Sequence, residues 1–353
     1  MRHSVECNWV ALLNWSDFIL WPPARGGKRH NVSNIIRKRI TEFSPASTQS
    51  SGGDAERSGS KNRPTPSRST LAQAVSAKLE DGNLRAAIRL VSSDDEPVTP
   101  SAETLASLRL KHPPPSQMDP SLAGVQCTPL VVDQNEVRKA ILSFPAGSTG
   151  GPDGLRPQHL KDLLQCRESG PDFQAALTGF VNTVLAGHCP NAISPLFFSG
   201  RLIALTKSSG GIRPIAVGMT FRRLVSKCAS SYGTSRLVSY LSPHQLGVGT
   251  PGGCEAAVHA ARRYLQSMTD KQVMVKLDFS NAFNSLHRSA MLQAVRDRIP
   301  ELFSATPRMH THRCCFTGQT LCCPRKVHSK EILLALFCSA IQCNHCCSLC
   351  RLR

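Results

Sequence analysis

V-M-V-K-L-D-F-S-N-A-F-N-S-L, Val273 to Leu286, reads as an apolar strand that ends in an acid. Val273, Val275, Leu277 and Phe279 alternate with Met274, Lys276 and Asp278, the two-residue period of a strand with one buried face. Asp278 falls on the opposite face, just before the chain turns at Ser280-Asn281. A carboxylate placed there suits an oxygen ligand for Mg²⁺. The structural alternative is a strand-end Asp that caps the following helix.

Upstream of this stretch the pattern alternates between helix and hairpin. Asn135 to Ile141 has a helical period, followed by a glycine-rich loop, P-A-G-S-T-G-G-P-D-G-L, Pro145 to Leu155. The loop has no Gly-Lys-Ser/Thr at a helix start, which excludes a Walker-type phosphate cradle. Gln158 to Leu164 continues as a helix, and Phe173, Ala176, Leu177, Phe180, Val181, Val184 and Leu185 form one apolar helical face. R-L-I-A-L-T-K, Arg201 to Lys207, then Ser208-Ser209-Gly210-Gly211, then I-R-P-I-A-V-G, Ile212 to Gly218, is a hairpin signal with Lys207 and Arg213 flanking its tip. Paired Lys and Arg on a rigid hairpin suit a triphosphate, Arg by its planar fork and Lys as a point charge. Helix Phe221 to Tyr232 carries Arg222, Arg223 and Lys227 opposite its apolar side, which gives either a template groove or a solvated face. Helix Cys254 to Met268 then leads into the strand with Asp278.

In order, these motifs resemble the reverse transcriptases of non-LTR retrotransposons. D-F-S-N-A-F, Asp278 to Phe283, is similar to that family's first catalytic motif. G-P-D-G-L, Gly151 to Leu155, is similar to a turn in its fingers, and L-x-K, short turn, R-P-I to its fingers hairpin. Gln245, Gly247 and Glu255 stand roughly where the family has Q-x-G-x-x-x-G-x-E-x-A. The resemblance implies Mg²⁺ at Asp278 with help from the Phe279 carbonyl, and Lys207 and Arg213 on the phosphates of an incoming deoxynucleotide. It also implies Phe283 beneath that nucleotide's sugar, where a ring excludes a 2′-hydroxyl by clash. RNA/DNA template-primer and deoxynucleotides are the implied partners, and the activity is RNA-directed DNA synthesis.

Composition points the same way. The 353 residues carry 42 Lys+Arg against 24 Asp+Glu, a net +18 that favours a polyanionic partner such as nucleic acid. Aromatics are 5%, which argues against a single-strand binder made mainly of stacking platforms. Of fifteen cysteines nine follow Pro300, unlike the even framework of a secreted disulfide scaffold. No run of about twenty uninterrupted apolar residues appears, and Trp9 to Trp21 contains Asn14 and Asp17 and lacks a small-residue cleavage site. Neither membrane anchor nor signal peptide is expected, and the compartment is read as intracellular, cytoplasmic or nuclear.

The fold class expected is α+β: right-hand polymerase fingers plus a partial palm, after a disordered N-terminal region. Residues 1–43 read as a basic, Trp-containing arm with Arg25, Lys28, Arg29, Arg37, Lys38 and Arg39. Residues 44–70 read as a Ser/Pro/Gly linker, 71–130 as short helices and a proline-rich spacer, 131–303 as fingers and first palm strand, and 304–353 as a divergent Cys-rich tail. The ordered core is expected to begin near Val131.

Two-metal phosphoryl transfer needs carboxylates converging on ions roughly 4 Å apart. The family supplies them as Tyr/Phe-x-Asp-Asp, whereas only Asp297, Glu301 and Glu331 follow Asp278 here. Asp94-Asp95 lies upstream in the spacer. K-E-I-L-L-A-L-F-C-S-A-I-Q, Lys330 to Gln342, resembles a broken remnant of a later motif, so the chain from about Ser304 reads as a decayed or frame-shifted copy. The chain alone is therefore expected not to polymerise. The alternative is a non-catalytic nucleic-acid-binding remnant, and a zinc module at Cys343 to Cys350 is a third reading, disfavoured by ligands packed too closely for one tetrahedron.

Overall fold

The hairpin around Ser208 to Gly211 organises one side of the computed structural model, which describes residues 2–20, 31–44, 68–80, 82–92, 98–111, 126–207, 210–274, 288–306, 313–316 and 319–322. Strands β1 (Gly200–Thr206) and β2 (Ile212–Gly218) pair antiparallel over their full length, from Gly200 against Gly218 to Thr206 against Ile212. Gly210 and Gly211 take φ of 84° and 83° at the turn, where a side chain would be strained. Pro214, which has no N–H to give a ladder, sits on β2 at the edge of the sheet. Short strands β3 (Arg313–Phe316) and β4 (Gln319–Cys322) extend the sheet in the order β2-β1-β3-β4.

Alternation decides the two faces of the hairpin. Leu202, Ala204 and Ala216 are buried on one face. Their cover comes from the segment expected to be spacer: helix α5 (Ala102–Leu110) places Leu108, 0% exposed, against them, with Leu105 and Val98 alongside. The Val98 amide donates to the Ala204 carbonyl at 2.9 Å. Upstream lie the short helices α3 (Arg68–Glu80) and α4 (Leu84–Ser92), separated at Gly82 with φ 66°.

The main core is helical. Helix α6 (Gln134–Leu142) starts at a capping box in which Asp133 and Glu136 each accept the other's backbone N–H, at 2.7 and 2.8 Å. It buries Val137, Ala140 and Ile141 against α7 (Pro157–Leu164) and α8 (Gly170–Leu185). Asn182 on α8 holds the extended approach to α6, donating to the Val132 carbonyl at 3.0 Å and accepting its amide at 2.9 Å. After the short α9 (Ser194–Phe197) and the hairpin comes α10 (Thr220–Leu241), longer than its sequence pattern and buried along much of its length. Helix α11 (Gly253–Ser267) is largely exposed, and α12 (Arg288–Arg298) returns Met291, Leu292 and Val295 to the core.

The core does not begin near Val131. Helix α1 (Arg2–Ile19) buries Trp9, Leu13, Ser16 and Ile19, a stripe at helical spacing. Trp9 packs 5.3 Å from the Phe180 ring and 5.4 Å from Phe197, centroid to centroid. Helix α2 (Val32–Glu42) folds back on α1: Arg39 donates to the Ile19 carbonyl at 3.1 Å, using a cation of the basic cluster to satisfy an orphan helix-end acceptor. The N-terminal segment is thus part of the helical core rather than an arm beside it.

Residues 272–274 carry no strand, and Val273 is 78% exposed rather than packed. The described sheet contains no strand from residues 272–274. Asp278, Phe279 and Phe283 lie outside the described residues, as do the terminal cysteines from Cys323 onward.

Candidate nucleic-acid interface

The outer face of the β1–β2 hairpin gathers the basic residues. Register puts Arg201 opposite Val217, Ile203 opposite Ile215 and Leu205 opposite Arg213, all on the side away from Leu108. Two residues beyond Leu205, Lys207 continues that column, so it and Arg213 share one face of the hairpin tip. The Lys207 amide donates to the Gly211 carbonyl at 3.0 Å, which closes the turn and fixes where the lysine leaves the backbone. Arg201 was not singled out in the sequence, although the same alternation contains it. Its guanidinium donates to the Gly151 carbonyl at 3.3 Å.

That contact joins the hairpin to the glycine-rich loop. A Cβ on Gly151 would lie 2.6 Å from the Met219 Cα, so glycine alone allows the loop to lie against the end of β2. The Thr220 hydroxyl donates to the Leu155 carbonyl and continues the seam. Three cations hold the loop's other end around Phe144. Lys161 donates to the Phe144 carbonyl at 2.8 Å, and Arg223 to the Thr149 carbonyl at 2.7 Å. Arg223 and Lys227, four residues apart on α10, both lie over the Phe144 ring, at 5.2 and 4.8 Å from its centre. Lys227 also donates to the Ser143 hydroxyl.

Arg222 does not join Arg223 and Lys227 on the outer side of α10. It is 2% exposed, and its guanidinium donates to the Phe198 carbonyl at 2.6 Å and the Ser199 carbonyl at 3.4 Å. Helical spacing places it in one stripe with Val225, Ser226 and Ala229, all buried. It ties the end of α9 to α10 and is removed from the groove-lining set.

Asp153, in the turn of the glycine loop, is 5% exposed, and its Oδ1 has no hydrogen-bond partner. Burial pushes its pKa up to about 6 from 3.8; the backbone amides of Asp153 and Leu155 oppose this, Asp17 adds to it, and Arg223 opposes it. Burial likewise pulls the Arg223 pKa down, and Asp153 pushes it back. The Asp153 carbonyl accepts from the Ser16 hydroxyl at 3.1 Å, so α1 closes over this turn. Because the folded state holds its proton to higher pH than the unfolded chain, stability is greatest below about pH 4 for this group. It falls as pH rises through 4 to 6, by about 3 kcal/mol in all. Asp153→Asn is expected to abolish that fall; urea unfolding across this pH range checks it, and an unchanged slope in the variant contradicts the assignment.

The two described acids downstream, Asp297 and Glu301, each have a neighbour. Asp297 accepts from Gln293 at 2.8 Å and from Arg296 at 3.1 Å, while Glu301 lies 3.8 Å from Arg236. Among the described residues no group of three or more His, Cys, Asp or Glu is placed to hold a metal ion. Also among them, no helix is long and apolar enough to cross a membrane.

No protein-family model matches the chain. Over 165 residues, 46% of its length, it is 27% identical to the retrotransposable element SLACS 132 kDa protein of Trypanosoma brucei gambiense. The matched stretch spans 13% of that protein. The similarity supports a retroelement origin for this chain.

Proposed function

We propose that the chain is the fingers and the beginning of the palm of a non-LTR reverse transcriptase domain, which grips nucleic acid through the β1–β2 hairpin. The observation that carries this reading is the hairpin itself: Lys207 and Arg213 on one face of its tip, with the G-P-D-G-L turn seated against its base through Gly151. Cations carried by paired strands meet phosphates at a smaller entropy cost than cations on an unpaired chain. Similarity to a retrotransposable element protein supports it from an independent side. The test is salt-dependent binding of RNA by the full chain and by its Lys207→Ala/Arg213→Ala variant.

Catalysis is a separate matter. By family resemblance Asp278 holds Mg²⁺ and Phe279 and Phe283 serve the nucleotide, but these 353 residues contain no second pair of carboxylates after Asp278. Asp297 and Glu301 are committed to neighbours on their own helix and on α10. We expect no primer extension by the chain alone on an RNA template with Mg²⁺ and deoxynucleotides. Extension that disappears in Asp278→Ala contradicts this and restores the enzyme reading. The second reading is a non-catalytic nucleic-acid-binding remnant, in which Asp278→Ala leaves binding unaltered.

A further inference from the structure

Helix α11 contributes to neither of the described apolar cores. Gly253 at its start is its one buried residue, seated so closely on the Leu246 carbonyl that a Cβ would collide with it. Beyond that anchor the helix carries an apolar face in solvent. Cys254, Ala257, Ala261 and Tyr264, with Met268 just past the helix end, recur at spacings of three, four, three and four, the seam of a two-helix coil. Val258 and Leu265 widen the seam along one side and are 50% and 51% exposed. An unsupported helix of 15 residues is marginal in water, so cover for this face would stabilise it.

We infer that the cover is α11 of a second copy of this chain, packed antiparallel about a two-fold axis that passes midway between Ala257 and Ala261. Ala257 of each copy then meets Ala261 of the other, and these small side chains let the helix axes approach to about 8 Å. Cys254 of each copy faces Tyr264 of the other toward the two ends. Charge decides the direction. Glu255 and Arg262 are seven residues apart on one edge of the seam, about 10 Å along the helix and too far to pair with each other. Parallel copies would set glutamate against glutamate and arginine against arginine, whereas antiparallel copies bring Glu255 of each to Arg262 of the other. The Glu255 side chain is 80% exposed, with His259 of its own helix 3.7 Å away. A contact of this kind uses the same patch on both copies and closes on itself, so it gives dimers rather than filaments. The seam is short, which makes the dimer a weak, concentration-dependent one. It stands apart from the nucleic-acid reading, since none of these residues belongs to the hairpin or the glycine loop.

The experiment is sedimentation velocity of the full chain without nucleic acid, over a concentration series reaching the high micromolar range. Physiological ionic strength largely screens the repulsion between two copies of net charge +18. The average mass is expected to rise from one copy toward two. Leu265→Glu places a charge in the seam and should hold the chain monomeric. Glu255→Arg sets arginine against arginine, and Arg262→Glu sets glutamate against glutamate, so each variant alone should dimerise about tenfold more weakly or worse. Mixed in equal amounts, the two variants meet arginine to glutamate at both edges and should recover dimerisation close to that of the wild type. Glu255, Arg262 and Leu265 are all exposed, so the unfolding transition of each variant should match the wild type. A wild type that remains monomeric overturns the inference, as does a dimer indifferent to Glu255→Arg and Leu265→Glu. Failure of the mixed variants to recover rules out the antiparallel pairing. A monomer whose α11 amides resist hydrogen exchange assigns the cover to another part of the same chain and overturns the second copy.

Discussion

Replacing Trp9 with alanine is expected to lower the stability of the whole chain by about 3–5 kcal/mol, the range for emptying a large aromatic site in a core. The ring is 7% exposed and sits among Phe180 and Phe197, which themselves pack 6.0 Å apart and continue through Phe180 to Phe221 on α10. Removing it opens a cavity at the meeting point of α1, α8 and α9, whose rigid rings cannot collapse to fill it. Most single domains have only about 5–15 kcal/mol to lose, so the variant should unfold at visibly lower urea. Trp9→Phe keeps an aromatic in the cluster and should cost less than half as much. A solvated arm would lose no more than about 0.5 kcal/mol, and that result would remove α1 from the core.

Trp9 also shows why part of the fold was hidden in the sequence. Trp9, Leu13 and Ser16 follow helical spacing, but Asn14 and Asp17 interrupt the apolar run and a long Ser/Pro/Gly stretch separates it from the next periodic segment. Local pattern cannot show that a helix crosses that distance to pack on Phe180 and Phe197. The same holds for α5: only Leu105 and Leu108 mark its inward side, among prolines on both flanks, and its partner face on the hairpin is nearly a hundred residues away. Where a pattern was long and strictly periodic, as in Phe173 to Leu185 or the paired runs around Gly210-Gly211, the element could be read directly.

Within the candidate interface, Lys207 and Arg213 were legible because a tight turn fixes which residues flank it. Arg222 shares the charge of Arg223 and Lys227 but not their angle around the helix, and charge is what the sequence displays. Arg223 and Lys227 are four apart and share Phe144, while Arg222 belongs to the stripe of Val225 and Ala229. Phe144 and Lys161 carried no signal of their own, since a ring or lysine beside a loop acquires meaning only from what the fold brings to it. The strand expected from Val273 onward is not present at 272–274, and Asp278 lies beyond the described residues.

The second large effect concerns binding. Each phosphate neutralised by a lysine or arginine releases a counterion, so removing a contact lowers the salt slope by about one. Lys207→Ala/Arg213→Ala deletes both cations at the hairpin tip and leaves the apolar side, Leu202, Ala204 and Ala216, untouched beneath Leu108. The fold should therefore survive, while RNA affinity at low salt falls by about ten- to a hundredfold. A basic chain that merely attracts polyanions through its net charge of +18 would lose far less, because two charges are a small share of that total.

The decisive measurement is the RNA dissociation constant of the full chain across a salt series, taken side by side with this double variant. The account predicts a steep slope in the wild type, reduced by about two in the variant, with matching loss of affinity and an unchanged unfolding transition. Identical slopes and affinities in the two proteins would contradict it and remove the hairpin from the nucleic-acid interface.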